Sequence, residues 1–370
     1  MKVLHVINSL ILAGVEVLLA EMVPRFRARG LEVEVAVLKP LDSPLEHRLR
    51  DSGIPFLQNS VHRIYSPAHV FSLARRLHEF DLVQSYLFPA QLWVASAAVL
   101  AKRRVPLVTT EQSTQTGRRN WWFHPADRWM YSRYRAIACN SPETLESLVR
   151  WVPGAESRVS VIPNGVALDR MAGAQPPPRS SVLPDDGSPL LMFVARLEPA
   201  KDHATLLRAL AQVPSTRLAL VGDGVLRGEL EALAASLGIR ERVHFLGRRA
   251  DVPQLLKLAD VYVHSSHWEG FGIAAVEAMA AGVPVIASDV PGLGQVVGSA
   301  GLLFPAGDAE CLAKHIRSLL DSEPLRRRLS QAGKERARSF SIEGSVEAYI
   351  SLYESVLAEE RSGRAPTRTS

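Results

Sequence analysis

The strongest chemical signal in this 370-residue chain is a polar, glycine-containing loop between a predicted strand and a predicted helix. Glu269 stands directly before Gly270-Phe271-Gly272, and the helix is predicted over Ile273–Ala281. Backbone N–H groups at a helix start that glycines leave uncovered favour an anion such as a diphosphate. Glu277 lies among small apolar residues of this helix, so we expect a partly enclosed carboxylate that needs partners such as sugar hydroxyls. The simpler alternative is that both glutamates are solvated helix residues.

A pair of cations follows a second predicted strand, Leu190–Val194. Arg196 comes just after this strand, and Lys201 stands where the next predicted helix begins. Cations at the carboxyl end of a strand can hold a diphosphate, although two unrelated surface cations would give the same pattern. Gly14, which follows the first predicted strand, is a weaker signal. It is not part of a G-x-G-x-x-G motif, so it does not indicate a nicotinamide or flavin site.

Other catalytic arrangements are not indicated by the sequence. Its two cysteines, Cys139 and Cys311, are far apart, which excludes a zinc ribbon or a disulfide scaffold and favours a reducing cytoplasm. Asp185-Asp186 lies in a Pro-rich segment and no Asp-x-Asp follows a predicted strand, so we expect no bound metal. Nucleic-acid binding is not expected either, because we find no base-reading or stacking motif.

These residues are embedded in a pattern of short β-branched runs and longer amphipathic runs that occurs twice. Ser141-Pro142-Glu143 predicts a helix start, and residues 173–189, rich in Pro, Ser, Gly and Asp, predict a linker. The pattern predicts an α/β fold of two doubly wound parallel sheets, whose facing strand ends would share one ligand cleft. The predicted strands are Val3–Ile7, Glu32–Leu38, Leu82–Gln84, Val105–Thr109, Ile137–Cys139, Leu190–Val194, Arg217–Val221, Val243–Leu246, Val261–Val263 and Val283–Ala287. The predicted helices are Val15–Arg29, Ala68–Glu79, Ala90–Lys102, His203–Gln212, Arg227–Leu237, Pro253–Ala259, Ile273–Ala281 and Ile342–Glu359.

Composition and charge favour a globular protein of two domains. With 47% hydrophobic and 22% charged residues, the chain can bury a core of ordinary size. No apolar run is long enough for a membrane-spanning helix, and the interrupted run Met1–Leu19 does not fit a signal peptide. Residues 1–167 hold 20 basic against 14 acidic side chains, whereas the rest holds 23 against 24. The basic first half suggests an anionic partner, although scattered surface charge is the plainer interpretation.

Taken together, these features resemble glycosyltransferase family 4, whose members have the GT-B fold of two Rossmann-like domains that face each other across a cleft. The resemblance covers nearly the whole chain. Its most specific element is the pair Glu269 and Glu277, combined with Arg196 and Lys201. The motifs that carry it are Ala13-Gly14-Val15-Glu16, Ile162-Pro163-Asn164-Gly165-Val166, Val194-Ala195-Arg196-Leu197 through Lys201, Val221-Gly222-Asp223-Gly224, Glu269-Gly270-Phe271-Gly272 through Glu277, Gly282-Val283-Pro284-Val285 and Gly301-Leu302-Leu303-Phe304-Pro305.

The resemblance implies transfer of a sugar from a nucleotide-sugar donor with retention at the anomeric carbon. Arg196 and Lys201 are then expected to bind the diphosphate and to stabilise its charge as the bond breaks. Glu269, which we group with them as catalytic, is expected to contact the donor sugar, and Glu277 the ribose. The other expected donor contacts are Gly14 and the backbone of Gly270, Phe271 and Gly272. In such enzymes the departing phosphate is thought to accept the acceptor's proton, so no protein nucleophile is required.

The chain departs from the family pattern at three positions. The first loop has Ala13-Gly14 in place of two glycines, and Gln295 stands where a glutamate is usual. Gln112, next to Glu111, stands where many relatives have a histidine near the donor sugar. An amide can hydrogen-bond a hydroxyl but cannot titrate, so Glu111 and Gln112 are kept as candidate contacts to the sugar or the acceptor. These departures bear on sugar identity and rate rather than on the diphosphate and ribose groups.

The domain organisation follows from the linker and the resemblance. We expect an N-terminal acceptor-side domain over 1–172, the linker at 173–189, a C-terminal nucleotide-sugar-binding domain over 190–340, a helix over 341–360 that can pack back on the N-terminal domain, and a disordered tail over 361–370.

The expected partners are a nucleotide-sugar donor and a glycan or lipid-linked acceptor, in cell-envelope or polysaccharide assembly. Arginines interleaved with aromatics over Gly117–Arg135 favour peripheral contact with an anionic membrane at its cytoplasmic face. The alternative for this segment is that its aromatics pack in the core. Two other functions stay open from the sequence, a non-catalytic nucleotide-sugar-binding relative and another GT-B enzyme such as a nucleotide-sugar epimerase.

Overall fold

The computed structural model describes residues 1–57, 63–114 and 119–362. The chain divides into two compact units, of which the first comprises Met1–Gly165 with Ile342–Ser370 and the second Val166–Ser341. Each unit contains one parallel β-sheet flanked by helices. Among the described residues, none of the helices has the length and apolar character that crossing a bilayer requires.

The first unit is built on a seven-stranded sheet. Its elements before the chain leaves this unit are β1 (Lys2–Ile7), α1 (Gly14–Ala28), β2 (Glu32–Val37), α2 (Pro44–Asp51), β3 (Phe56–Leu57), α3 (Ala68–Ala74), β4 (Leu82–Tyr86), α4 (Ala90–Leu100), β5 (Leu107–Glu111), α5 (His124–Ser132), β6 (Ala136–Cys139), α6 (Pro142–Trp151) and β7 (Val159–Val161). The strand order is β3-β2-β1-β4-β5-β6-β7. Strands β4, β5 and β6 are buried along their whole length, as expected for a parallel sheet covered on both faces.

The second unit repeats the architecture with six strands. Its elements are α7 (Leu168–Gly173), β8 (Leu190–Val194), α8 (His203–Ala211), β9 (Arg217–Val221), α9 (Arg227–Ser236), β10 (Val243–Gly247), α10 (Val252–Leu256), β11 (Val261–His264), α11 (Ile273–Ala281), β12 (Val285–Ser288), α12 (Leu293–Val297), β13 (Leu302–Phe304), α13 (Ala309–Asp321) and α14 (Glu323–Arg338). The strand order β10-β9-β8-β11-β12-β13 reverses between β8 and β11. Ligands of open α/β sheets bind outside the strand ends at such a reversal.

The last helix, α15 (Ile342–Ser362), belongs to the first unit and packs against α1. Two ion pairs join these helices, Arg25 to Glu343 at 3.0 Å and Arg29 to Glu347 at 3.2 Å. The Tyr353 hydroxyl of α15 is buried and donates to the side-chain oxygen of Gln84 in β4. The C-terminal helix is therefore part of the first unit's core rather than an appendage.

Local sequence accounts for several element boundaries. Ser141 caps α6 as predicted, because its hydroxyl accepts from the Thr144 N–H at 3.1 Å and Pro142 occupies the first turn. Asp202 caps α8 in the same way through the Thr205 N–H at 3.3 Å. The predicted bounds of β8, β9 and α11 match the structure residue for residue.

The predicted linker and one predicted helix differ from the structure. Residues 173–189 lie within the second unit, and the chain instead crosses between the units at Gly165–Val166 and at Ser341–Ile342. The physical reason is that Leu183 packs in the hydrophobic core of the second unit, so the prolines mark irregular surface chain rather than a tether. The helix predicted over Ala68–Glu79 ends at Ala74 and is followed by a separate 3-10 turn.

The sequence analysis also missed several elements, among them the helices α2, α5, α13 and α14, and it misplaced the start of the tail. The strands β3, β7 and β13 are only two or three residues long and carry too little periodicity to be recognised. Arg361 and Ser362, assigned to the tail, are the last turn of α15, whereas the rest of the predicted tail lies outside the described residues.

Candidate functional site

The carboxyl ends of β8 and β11 lie side by side, since these strands pair at the reversal of the second sheet. Lys201 ends a 3-10 turn that follows β8, and Glu269 lies in the loop that follows β11. The Lys201 ammonium donates to Glu269 Oε2, and the two side chains are only 17% and 16% exposed. The structure thus joins two predicted site residues that are 68 positions apart in the chain.

Further bonds tie these two loops together. The Ser265 hydroxyl donates to the carbonyl of Lys201 at 3.3 Å, and the His267 N–H donates to the carbonyl of Ala200 at 2.9 Å. The His267 ring lies 3.5 Å from the carboxylate of Asp202, which caps α8. These bonds fix the backbone at Lys201 relative to the loop after β11.

Glu269 is also held by a histidine. His264, the last residue of β11, places Nε2 3.3 Å from Glu269 Oε2. Burial alone would raise the pKa of the Glu269 carboxyl, but the charge of Lys201 and the hydrogen bond from His264 outweigh it and hold that pKa well below its usual range. Glu269 is therefore a fixed, ionised carboxylate at neutral pH.

Arg196 is placed differently from Lys201. Its guanidinium donates to Glu198 Oε1 at 2.6 Å, and its side chain is 58% exposed. The β9–α9 loop packs closely against the backbone on either side of Arg196, and only glycines fit there. A Cβ on Gly222 would lie 1.9 Å from the Ala195 carbonyl oxygen, and a Cβ on Gly224 would lie 2.4 Å from the Leu197 carbonyl oxygen. The glycines of the Val-Gly-Asp-Gly motif therefore allow this loop to pack directly against the end of β8.

Glycines also allow the loop before α12 to cover the backbone beside Glu269. Gly292 has a φ of +84°, and a Cβ there would lie 2.6 Å from the Gly270 carbonyl oxygen. Gly272, the residue that precedes α11, has a φ of +90°, and a Cβ there would lie 2.6 Å from the Leu293 side chain. Phe271 between them is buried and packs edge-on against Phe340, with ring centroids 5.2 Å apart. Its side chain is therefore part of the core of the second unit.

Two further positions that the sequence analysis singled out lie on helices of the second unit. Glu277 lies in the middle of α11 and is half-buried, as the flanking small residues predicted. Gln295 is exposed on α12.

The remaining predicted site residues belong to the first unit. Gly14 is the first residue of α1 and is exposed. Glu111 ends β5, is buried, and accepts a hydrogen bond from the Tyr131 hydroxyl, so its carboxylate is engaged inside the unit.

Gln112 lies in a cluster of amides just beyond β5. Its side-chain oxygen accepts from Asn140 Nδ2 at 3.2 Å and from Asn164 Nδ2 at 2.8 Å. Asn140 follows β6, and both asparagines are buried. Because the carbonyl of Gln112 is occupied twice, its NH₂ group is the part left to donate to a ligand.

The basic aromatic segment is split between surface and core. Met130 and Tyr134 are buried, as expected for a core face, and Trp129 is 37% exposed. Trp121 and Trp122 are 67% and 71% exposed and stack on each other, with ring centroids 3.5 Å apart. Arg118 and Gly117, which the sequence analysis included, lie outside the described residues.

The sequence analysis missed several polar residues around the site. His264 and Tyr262 were assigned only to a strand or to the loop after it, and Asn140 and Asn164 were given no role. These residues share one feature that is visible in the sequence: each is a polar side chain within or just after a short apolar run. Within the described ranges, no group of three or more His, Cys, Asp or Glu side chains is arranged to hold a metal ion.

Comparisons with known proteins agree with this architecture. A family model described as Glycosyltransferase Family 4 matches residues 12–170, and one described as Glycosyl transferases group 1 matches residues 176–336. Lipopolysaccharide core biosynthesis glycosyltransferase LpsE of Rhizobium meliloti is 29% identical over 347 residues, 92% of this chain and 95% of that protein. LpsD of the same organism is 33% identical over 239 residues, 64% of this chain and 68% of that protein.

A solved structure shares the fold over the full length. The crystal structure of HepE from Anabaena in complex with UDP-glucose has a TM-score of 0.80 and 25% sequence identity, and the match covers 98% of this chain and 100% of that one.

Proposed function

Since the chain belongs to glycosyltransferase family 4, we propose that it transfers a sugar from a nucleotide-sugar donor to a glycan or lipid-linked acceptor, with retention at the anomeric carbon. The observation that carries this proposal is the ion pair of Lys201 and Glu269 beside the start of α11, at the reversal of the second sheet. A cation, an anion and the start of a helix at one strand edge suit a ligand that is part diphosphate and part sugar.

The proposed chemistry uses electrostatics more than covalent catalysis. The bond between the anomeric carbon and the diphosphate oxygen breaks, the acceptor oxygen bonds to that carbon, and its proton passes to the departing phosphate. Negative charge therefore grows on the diphosphate. The Lys201 ammonium donates one N–H to Glu269, which leaves two N–H groups to donate to phosphate oxygens. The exposed Arg196 side chain can turn toward the same phosphate. Lys201 is already held in place by Glu269, and a preorganised cation lowers the barrier because it needs no reorganisation during the reaction.

The relatives guide the choice of substrates. LpsE and LpsD are named for lipopolysaccharide core biosynthesis, so we propose an acceptor in cell-envelope polysaccharide assembly. HepE was crystallised with UDP-glucose, which makes UDP-hexoses the first donors to test. Glu277, half-buried on α11, is the proposed ribose contact, and Gln112 with its free NH₂ group a proposed contact to the sugar or the acceptor.

The deciding experiment is a donor panel. Purified protein is offered UDP-, GDP- and ADP-sugars, and release of the nucleoside diphosphate is followed with and without extracted envelope glycans. We expect turnover with one nucleotide class, loss of it in Lys201→Ala, and wild-type rates in Lys314→Ala, which removes an exposed lysine of the same unit. Failure of every donor to bind would refute the proposal, and binding without turnover would indicate a non-catalytic relative.

We also propose that the reaction needs no divalent metal. The support is the Lys201 ammonium and the exposed Arg196 guanidinium, which supply the positive charge that a metal ion supplies in other transferases. The test is turnover in EDTA. Activity that disappears in EDTA and returns with Mg²⁺ or Mn²⁺ would contradict this proposal.

A further proposal concerns where the protein acts. Trp121 and Trp122 form an exposed aromatic surface, and Arg128 and Arg133, which follow in the sequence, are exposed as well. Such a surface suits the headgroup region of an anionic membrane, where each basic residue adds about 1 kcal/mol. We therefore propose peripheral contact at the cytoplasmic face of a membrane that carries the acceptor.

Membrane contact can be tested by co-sedimentation with vesicles that contain anionic lipid, at low salt. We expect wild type to bind and Trp122→Ala/Arg128→Glu to bind weakly. The control Phe71→Ala/Arg75→Glu also removes one exposed aromatic side chain and reverses the charge of one exposed arginine, but at another site of the first unit. It should bind like wild type. Arg119 is left intact because it holds the carbonyl of Thr114 at 3.0 Å. Equal binding by both double variants would place the docking surface elsewhere.

A further inference from the structure

Four buried or nearly buried side chains form a continuous polar row behind the proposed sugar contact. Tyr262 and His264 lie two residues apart on β11 and so point to the same face of the sheet. The Tyr262 oxygen is 3.2 Å from His264 Nδ1, and His264 Nε2 is 3.3 Å from Glu269 Oε2. Glu269 Oε2 in turn accepts from Lys201. Tyr262 and His264 are 0% and 2% exposed, so water does not compete for these bonds.

The chemistry of the partners determines the direction of each bond. An ionised carboxylate can only accept, so His264 Nε2 must carry the hydrogen. Burial, which outweighs the attraction to Glu269, lowers the pKa of His264, so the ring is neutral at neutral pH and Nδ1 is an acceptor. The Tyr262 hydroxyl has two acceptors within reach, His264 Nδ1 at 3.2 Å and the Val194 carbonyl at 3.5 Å, and we assign its single hydrogen to the nearer one, Nδ1. The row reads Tyr262 O–H to His264, and His264 Nε2–H to Glu269.

Glu269 has little acceptor capacity left. A carboxylate offers about four acceptor positions. Oε2 accepts from both Lys201 and His264, and Oε1 accepts from the Gly270 N–H at 3.2 Å. One acceptor position on Oε1 therefore remains, and the other bonds prevent the carboxylate from turning.

We propose that His264, oriented by Tyr262, is a positioning residue that fixes Glu269 so that its remaining acceptor position takes one hydroxyl of the transferred sugar. This inference rests on the proposed function, because it takes a nucleotide sugar as the ligand. It makes the chain selective for donors that carry that hydroxyl. A donor that lacks it leaves the ionised Glu269 with an unfilled position, which costs binding and rate together.

A matched pair of histidines allows the role to be tested. His264 and His203 both pack on Phe193, with ring centroids 5.2 and 4.8 Å away, and both are buried. Neither ring nitrogen of His203 has a hydrogen-bond partner in the described part of the chain. We expect His264→Leu to lower kcat/KM about tenfold to hundredfold, as for a lost bond to a charged group. His203→Leu should leave activity within about twofold.

Rescue and coupling separate positioning from packing. His264→Gln keeps an N–H donor and should restore activity to within about fivefold of wild type, and Tyr262→Phe should cost about fivefold. In a Glu269→Ala background, His264→Leu should add no further loss, since there is no carboxylate left to position. Equal losses in His264→Leu and His203→Leu, or independent losses in the double variant, would overturn the inference.

A second readout does not depend on turnover. The ¹⁵N shifts of the His264 ring, identified by their absence in His264→Gln, should report a neutral ring with hydrogen on Nε2 at neutral pH. A ring with hydrogen on Nδ1, or on both nitrogens, would refute the row of bonds. If the wild-type protein binds no nucleotide sugar, the proposed function is refuted. If the wild-type protein is active and His264→Leu is equally active, only this inference is refuted.

Discussion

Replacing Lys201 by alanine tests the ion pair from both of its sides. On the catalytic side, removing one preorganised electrostatic contact lowers turnover by about 10²–10³. On the structural side, the variant leaves Glu269 ionised in a site where its side chain is only 16% exposed. Loss of one partner of a buried ion pair costs about 3–5 kcal/mol, because the remaining charge is uncompensated. We therefore expect Lys201→Ala to turn over about 10²–10³ more slowly and to be less stable.

A double variant separates the two effects. Lys201→Met/Glu269→Met removes both charges and keeps apolar volume, a change that is often neutral for stability. Urea unfolding should show Lys201→Ala destabilised and the double variant close to wild type, while the donor assay shows low turnover in both. Lys314→Ala should match wild type in both measurements, since its side chain is exposed.

Specific results would refute this reasoning. Turnover of Lys201→Ala within a few-fold of wild type would show that the ammonium does not act on the diphosphate. Unchanged unfolding of Lys201→Ala would show that Glu269 gains little from the pair. An active double variant would remove both residues from the proposed mechanism.

Three other substitutions have distinct expected results. Arg196→Ala should lower turnover about 10²–10³ but change stability by less than about 1 kcal/mol, because its pair with Glu198 is exposed; unfolding and turnover measured together check this. Glu277→Ala should raise KM for the donor more than it lowers kcat, since a ribose contact is equal in ground and transition states, and a kcat loss without a KM change would contradict it. Burial, helped by the charge of Lys201, lowers the pKa of His203 from 6.5 to about 3. Between these two values only the unfolded chain binds the proton, so stability falls as pH falls. His203→Leu should therefore reduce the loss of stability below pH 6.5 by about 1.4 kcal/mol per pH unit, and identical slopes in urea titrations of wild type and variant would contradict it.

Much of the second unit was predictable because its signals are local. Strand β8 and helix α11 were predicted with their observed bounds, since apolar runs and flanking glycines act over a few residues. The half-buried state of Glu277 followed from its small neighbours. The assignment of 173–189 to a linker was wrong because composition does not reveal that Leu183 packs in the core.

Which residues touch was decided by the tertiary structure. Lys201 and Glu269 meet because β11 pairs with β8 rather than with β10, its neighbour in sequence. The residues between β8 and β11 carry no mark of that order, which depends on how strands bury their faces together. His264 likewise looks in sequence like one more residue at a strand end, and it becomes a partner of Glu269 only when the loop after β11 folds back over it.

The sequence by itself therefore determined the family, the αβ alternation and the residue types available for a diphosphate and a sugar, because short-range periodicity and turn chemistry encode them. Tertiary structure decided which carboxylate is fixed, which histidine fixes it, and that α15 completes the core of the first unit. Hydrogen bonds and ion pairs of this kind form only between groups brought within about 3 Å, and strand pairing over long sequence separations determines which groups those are.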